Sequence, residues 1–488
     1  MFFKQKSTVI FRKFESFGYI TDNRNFGYKL IGQNENIIGD KILSESGAVF
    51  MSVLNKKPQS IERLVEKIMM HFTDVECETL KNDAIEFFFI LERDGFVVSG
   101  ETIKACNDKD PKFSYKSVDS KLADSVFPLT KMHPENTTQD FFDDYFQGKP
   151  QLTNLHIEII SKCNERCLHC YIPHESKEGQ IDPDLFFSIL KQCIDMRMVH
   201  LTISGGEPML HKNFCDFLRR IKKHNFSVNI LSNLTLLNGD FIKEMKANPL
   251  LGVQVSLYSM DPSIHDEITQ KKGSFEMTRN GILELVKNNI PLQISCPILK
   301  QNRNNYSEVI QWAKSLKIQV GDDYGIIARY DHTKQNLSCR LTIHEVKEVI
   351  KDKIANNSEF INQIVLAAEK KKNISPSDFV CSVCNSSICI SESGDVYPCA
   401  GWQDYVVGNI KDNSLKDIWE NSKKVQYLRN LRNQDFPKCI ECLDKDYCSM
   451  CLVRNANEDS KGDLLVVNEY FCKIANLNRA FARKCMDK

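Results

Sequence analysis

Ser161-Lys162-Cys163-Asn164-Glu165-Arg166-Cys167-Leu168-His169-Cys170-Tyr171 is the stretch on which the reading of this chain turns. Its cysteines stand with three and then two residues between them, directly after an apolar run, Leu155–Ile160, that reads as a strand. A closed tetrahedral zinc site asks for a fourth ligand close by. A cubane [4Fe–4S] cluster on three thiolates instead keeps one iron open to another molecule. What surrounds the loop decides between them.

The chain has 488 residues, room for about two to four domains. Lys plus Arg balances Asp plus Glu at 64 each, which argues against a broad cationic surface for nucleic acid. No apolar run approaches the roughly 20 residues that span a bilayer. We therefore expect no membrane segment, no nucleic-acid partner and a cytoplasmic protein. The 19 cysteines are clustered: Cys163/167/170, Cys381/384/389/399, Cys439/442/448/451 and Cys472. No export signal is read at the N-terminus, so thiols in such groups read as metal ligands rather than a disulfide framework.

Residues 1–105 read as a small separate domain. Thr8–Phe11, Gly18–Thr21 and Tyr28–Ile31 are strand-like, and helices are expected over about Ser44–Leu54, Ser60–His71 and Cys77–Arg93. The helices read as packing on their own core. A small sheet leaves an edge, and an edge accepts an extended peptide by strand addition. Residues 106–150 read as a linker with one short helix near Thr138–Phe146. Residues 337–378 read as a charged connecting helix, its Lys370-Lys371-Lys372 run a solvated face.

Between them, over 151–336, apolar runs alternate with helical ones. Strands are expected at His156–Ile160, Val199–Ser204, Ser227–Leu231, Val253–Tyr258, Leu292–Ile298 and Gly325–Ala328. Six β/α repeats imply a parallel sheet or partial barrel, with its chemistry at the C-terminal strand ends. The cysteine loop follows the first strand. The second ends in Ser204-Gly205-Gly206-Glu207-Pro208, where glycines permit close backbone approach and the acid suits an ammonium. Alone, such a turn is as readily a tight corner.

Together, Cys163-x3-Cys167-x2-Cys170-Tyr171 and Gly205-Gly206-Glu207-Pro208 on this repeat resemble the radical S-adenosylmethionine (SAM) superfamily. The resemblance implies that Cys163, Cys167 and Cys170 hold a [4Fe–4S] cluster whose open iron binds SAM. It places Tyr171, Gly205, Gly206 and Glu207 against the cofactor, with Ser232, Asn233 and Ser256 as further contacts to ribose and carboxylate. In residues 379–488, Cys384-x9-Gly394-x4-Cys399, then Cys439-x2-Cys442-x5-Cys448-x2-Cys451 and Cys472 resemble the SPASM domain. The departure is at Cys451, which stands one residue closer to Cys448 than in the family pattern. A paired zinc ribbon is the plain alternative. The resemblance assigns Cys439, Cys442, Cys448 and Cys472 to one auxiliary [4Fe–4S] cluster. It assigns Cys384, Cys399 and Cys451 to a second, with Cys381 as the expected fourth ligand. Cys389 reads as an extra ligand or as a small buried hydrophobe, and the choice between it and Cys381 stays open.

The expected architecture is α/β: a partial (β/α)6 TIM-type barrel, an N-terminal small winged-helix-like α+β domain and a C-terminal Cys-rich SPASM domain. The first ~100 residues resemble leader-recognition domains of ribosomal-peptide maturases. The resemblance therefore implies three [4Fe–4S] clusters, SAM, a precursor peptide with a leader, and an electron donor such as flavodoxin or ferredoxin. Hydrogen abstraction would then form a thioether or carbon–carbon cross-link, against the alternatives of sulfatase-maturase-like modification, epimerisation or a non-enzymatic zinc-binding adaptor. Where some relatives carry a basic aspartate after Ser-Leu, this chain has Tyr258, which leaves Asp261 as the nearest candidate base.

Overall fold

The computed structural model describes residues 1–22, 28, 39–72, 74–110, 112–118, 146, 149–176, 178–356, 360–362, 365, 375–381, 383–448 and 450–486. The expected helix near Thr138–Phe146 and the Lys370–Lys372 run lie outside these, Phe146 excepted.

The N-terminal unit has two small sheets. Strands β1 (Phe2–Gln5), β2 (Ile10–Lys13), β3 (Gly18–Thr21), β4 (Asp40–Leu43), β5 (Gln59–Ser60) and β6 (Val97–Gly100) form the orders β5-β1-β6 and β2-β3-β4. Helices Glu45–Val53, Ile61–Met69 and Cys77–Arg93 pack on them. The helices and Gly18–Thr21 lie where the sequence pattern places them, whereas β1, β4, β5 and β6 do not show in that pattern. Tyr28, expected to open a strand, lies outside any, and its hydroxyl donates to the Leu292 carbonyl. The unit also runs past residue 105: Lys4 pairs with Asp110 at 2.8 Å, and the Cys106 thiol donates to the Val98 carbonyl.

This unit sits on the barrel at the N-terminal ends of its strands. Ile10, Phe17 and Tyr19 pack with Val199 and Leu250, and Arg12 donates to the Met198 and Asn225 carbonyls.

The barrel strands are β7 (Asn154–Ile160), β8 (His200–Gly205), β9 (Ser227–Ser232), β10 (Leu251–Ser256), β11 (Leu292–Ser295) and β12 (Gln319–Gly321), all parallel and in sequence order. Successive side chains point to opposite faces. Leu155, Ile157, Ile159, Leu201, Ile203, Val228, Ile230, Val253, Val255 and Ile294 meet the helices in one core, with Phe186, Phe217, Ile221, Ile282 and Val309. The alternate residues face the lumen. The sixth strand is not at Gly325–Ala328. There the Asp323 carboxylate accepts the Gly325 N–H at 3.0 Å, a local turn that breaks an otherwise strand-like run.

Three further strands, β13 (Ser387–Ile390), β14 (Asp395–Tyr397) and β15 (Gly408–Asn409), continue the barrel sheet. β13 lies parallel to β7, Cys389 opposite His156, so the first barrel strand is paired on both edges. Arg340 holds Glu458 with two hydrogen bonds while stacking on Tyr470, which binds the C-terminal segment to the barrel.

The sixth strand is fixed by a buried ion pair. Lys353 in helix Ile343–Asn356 meets Asp322 at 2.8 Å, the two side chains 4% and 1% exposed, beneath the rings of Tyr306, Tyr324 and Phe360. Lys353→Met leaves a buried carboxylate without its cation, so we expect about 3–5 kcal/mol lost in urea unfolding. The double variant Lys353→Met/Asp322→Asn should recover part of it.

Candidate functional site

The cysteine loop leaves the C-terminal end of β7 and is stitched down on three sides. Gly206 N–H donates to the Ile160 carbonyl at 2.7 Å and Glu207 N–H to the Lys162 carbonyl at 2.9 Å. Arg166 and Leu168 N–H groups donate to the Thr269 and Ile268 carbonyls. Asn164 donates to the Thr235 hydroxyl at 2.7 Å and accepts from the Asn233 amide at 2.8 Å. The two glycines serve this stitching. A Cβ on Gly205, at φ +134°, would stand 1.9 Å from the Ile160 oxygen, and one on Gly206 2.1 Å from the Lys162 oxygen. The close backbone approach expected there is thus to the cysteine loop's own chain.

Cys163, Cys167 and Cys170 are half-buried and adjacent. Burial pushes the Cys167 thiol well up, with Glu165, Cys170 and Cys163 adding to it. The Tyr258 hydroxyl points at Cys167 Sγ, 4.0 Å away, and lies 3.4 Å from His169 Nε2. Tyr258 therefore flanks the triad where an acid was looked for. Asp261 does not take that place. It caps helix Pro262–Thr269, accepting from Ser263 N–H at 2.8 Å; it is exposed, and those bonds hold its carboxyl below the usual range. Asp before Pro at a helix start was the readable signal.

Glu207 is wholly buried. Its oxygens accept from Met209 N–H, the Ser232 hydroxyl and Asn233 N–H at 2.8–3.0 Å, and burial pushes it up to about 6. Ser232 and Asn233, expected against ribose and carboxylate, thus spend polar groups on Glu207 and the cysteine loop. Ser256 ends β10 beside the Tyr258 hydroxyl. Asn164, Thr235 and Glu165 were not singled out from sequence.

The lumen is polar and almost uncharged. Leu231, Gln254, Gln293 and Gln319 share one row, and Glu158 pairs with Ser204. His156 and His200 also face inward, and burial pushes both down to about 4, so they are neutral at pH 7. Among lumen-facing strand residues Glu158 is the only carboxylate, and there is no Lys or Arg.

The C-terminal thiols fall into two sets. Cys384 and Cys399 neighbour Cys381, Cys399 also neighbours Cys451, and Cys389 lies by Cys399 and Cys384. Cys439, Cys442 and Cys472 form the other, and with Cys448 and Cys451 they line a cavity of about 890 Å³. Among the described residues no three His, Cys, Asp or Glu side chains are drawn in as closely as a single ion requires. Nor, among them, is any helix long and apolar enough to cross a membrane.

Residues 157–313 match the model of the radical SAM superfamily, and 381–443 that of the SPASM iron–sulfur cluster-binding domain. The chain is 27% identical over 346 residues to the tungsten-containing aldehyde ferredoxin oxidoreductase cofactor-modifying protein of Pyrococcus furiosus, covering 64% of this chain and 94% of that one. It is 25% identical over 313 residues to the antilisterial bacteriocin subtilosin biosynthesis protein AlbA of Bacillus subtilis, covering 62% and 67%. In fold it is similar to Streptococcus suis SuiB bound to precursor peptide SuiA: TM-score 0.59, 13% identity, 96% of this chain and 99% of that one.

The glycine turn gives a direct test. Gly206→Ala should lower the iron and acid-labile sulfide content of anaerobically reconstituted protein. Gly239→Ala, where an added Cβ meets nothing within 4 Å, should match wild type. Since the first match spans Cys163, Cys167 and Cys170 and the second spans Cys381 to Cys442, the chain carries a radical SAM domain and a C-terminal SPASM domain and is an enzyme of the radical SAM oxidoreductase type.

Proposed function

We propose that this enzyme modifies a ribosomally made precursor peptide by abstracting hydrogen from an unactivated C–H bond, forming a thioether or carbon–carbon cross-link. The observation that carries the reading is β4. It pairs with β3 on one side and, among the described residues, with no strand on the other. Asp22 N–H donates to the Gly39 carbonyl, which phases the ladder so that Ile42 turns its N–H group outward. Such an edge takes up an extended leader. The lumen supports the same reading: side-chain amides pair with peptide groups, and strand faces without Lys or Arg are poorly suited to phosphates.

The donor sets fit the cofactors. Three adjoining thiols at Cys163, Cys167 and Cys170, crowded by one another and by Glu165, form a set that a cationic iron centre relieves. A carboxylate accepts about four hydrogen bonds. Glu207 uses three, and one position is left for the SAM ammonium. Tyr171, Gly205, Gly206 and Ser256 complete that surface. Cys381, Cys384, Cys399 and Cys451 would hold one auxiliary cluster and Cys439, Cys442, Cys448 and Cys472 another, which makes three. When bound, the triad's cluster and SAM supply homolytic hydrogen abstraction, leaving methionine and 5′-deoxyadenosine. The chain's own part is to hold Glu207 and the cysteine loop in one rigid frame and to line the lumen with donors and acceptors. A flavodoxin or ferredoxin is the expected electron source.

Replacing Cys163, Cys167 and Cys170 with Ala should abolish 5′-deoxyadenosine formation; surviving turnover refutes the assignment. Co-expression with short reading frames beside its gene should yield a peptide lighter by two hydrogens per cross-link. Ile42→Pro, which removes one outward N–H, should weaken binding of that precursor by about three- to tenfold in fluorescence anisotropy.

A further inference from the structure

Glu158 stands apart from the groups used so far. It lies on the lumen face of β7, the strand that leads into the cysteine loop, and is 4% exposed. The Gln403 amide donates to both its oxygens, at 3.1 and 3.4 Å, and the Tyr397 hydroxyl lies close to the carboxylate. Cys389 pairs with His156 and Tyr397 pairs with Cys389, so these side chains share the face of Glu158. Tyr171 has Glu158, Cys170, Cys389 and Cys399 as electrostatic neighbours. Gly401, at φ +86°, brings the C-terminal segment in: a Cβ there would stand 3.7 Å from the Tyr171 ring. Glu158 is therefore lodged between the SAM-site triad and the Cys384/Cys399 set.

Resting on the reading of those thiols as cluster ligands, we propose that Glu158 is a proton-accepting positioning residue: its carboxylate takes up the proton released as the substrate gives its second electron to the iron–sulfur centre held by Cys381, Cys384, Cys399 and Cys451. Joining C–H to X–H removes two hydrogens. One leaves as a hydrogen atom on 5′-deoxyadenosine. The other divides: its electron reduces the auxiliary iron–sulfur centre by one unit, and its proton converts the Glu158 carboxylate to the acid. Both later pass outward, the electron to the external redox partner and the proton to solvent.

The surroundings favour this coupling. The groups facing Glu158 are His156 on its own strand, Ser204 on β8, Cys389 on β13, Tyr397 on β14, Glu392 and Gln403 beyond them, and Tyr171 in the cysteine loop. None is a cation at neutral pH, so an added electron nearby is opposed by an uncompensated buried charge until a proton removes it. Burial raises Glu158 to about 7, Tyr397 and Gln403 restraining the rise and Glu392 adding to it. The carboxyl is thus poised to change state near neutrality.

The test is a redox titration of the anaerobic holoenzyme without precursor, following the auxiliary centre by electron paramagnetic resonance at several pH values around neutrality. The midpoint potential should fall as pH rises in wild type and be flat in Glu158→Gln. Gln403→Leu, which removes a donor to the carboxylate, should move the sloping range to higher pH. A flat wild-type profile, or an unchanged slope in Glu158→Gln, overturns the proposal. Absence of an auxiliary signal in protein that holds the triad's cluster overturns both it and the auxiliary-cluster reading. Because no precursor is present, a wrong peptide assignment leaves the outcome intact.

Discussion

Pairing of β7 along both its edges is the constraint on which the site depends. An open run of six parallel strands has two raw edges, and a raw edge is both mobile and adhesive. β13 covers the one at β7. The C-terminal end of β7 is then held firmly enough for its next residues to accept hydrogen bonds from the glycine turn of β8. The positions of the cysteine loop and of Glu207 follow from that single fixed end. The C-terminal domain is accordingly part of the barrel's construction as well as a carrier of thiols.

Much of this was legible in the chain. The triad, the glycine turn and five strands announce themselves, because strands covered by helices on one face retain regular apolar residues and because only glycine permits contacts near 2 Å. The sixth strand was misplaced because Gly325–Ala328 has strand composition, whereas the turn at Asp323 is a side-chain-to-backbone effect that hydrophobic spacing does not register. β1 and β6 escaped for another reason: Phe2 finds Gly100 and Gln5 finds Val97 across the whole N-terminal unit, and neither segment declares its partner locally. Glu158 was visible only as an acid inside an apolar run. Its inward direction needs the register of β7 against β8 and β13.

The lumen shows how a small number of charges is distributed. Its histidines are neutral, its glutamines are grouped on β10, β11 and β12, and its one strand carboxylate sits at the opposite side, against the C-terminal domain. Hydrogen-bonding capacity is therefore spread through the barrel while ionisable chemistry is confined to one wall. The acids nearest the thiol triad, Glu165 and Glu207, belong to the loop and the turn rather than to the lumen, and Glu207 is already committed to holding Asn233 and Ser232.

The pairing of β7 with β13 also sets an order of assembly. Thr153 and Ser386 are joined across 233 residues, so this contact has one of the long sequence separations that slow folding. During synthesis the barrel's first strand emerges early and waits with one edge open until the C-terminal hairpin has been made. A chain cut before Ser387 would keep that edge permanently, with Ile157 and Ile159 beside it, and would be a template for association with its own copies. The C-terminal domain thus acts as the cover for a strand laid down long before it.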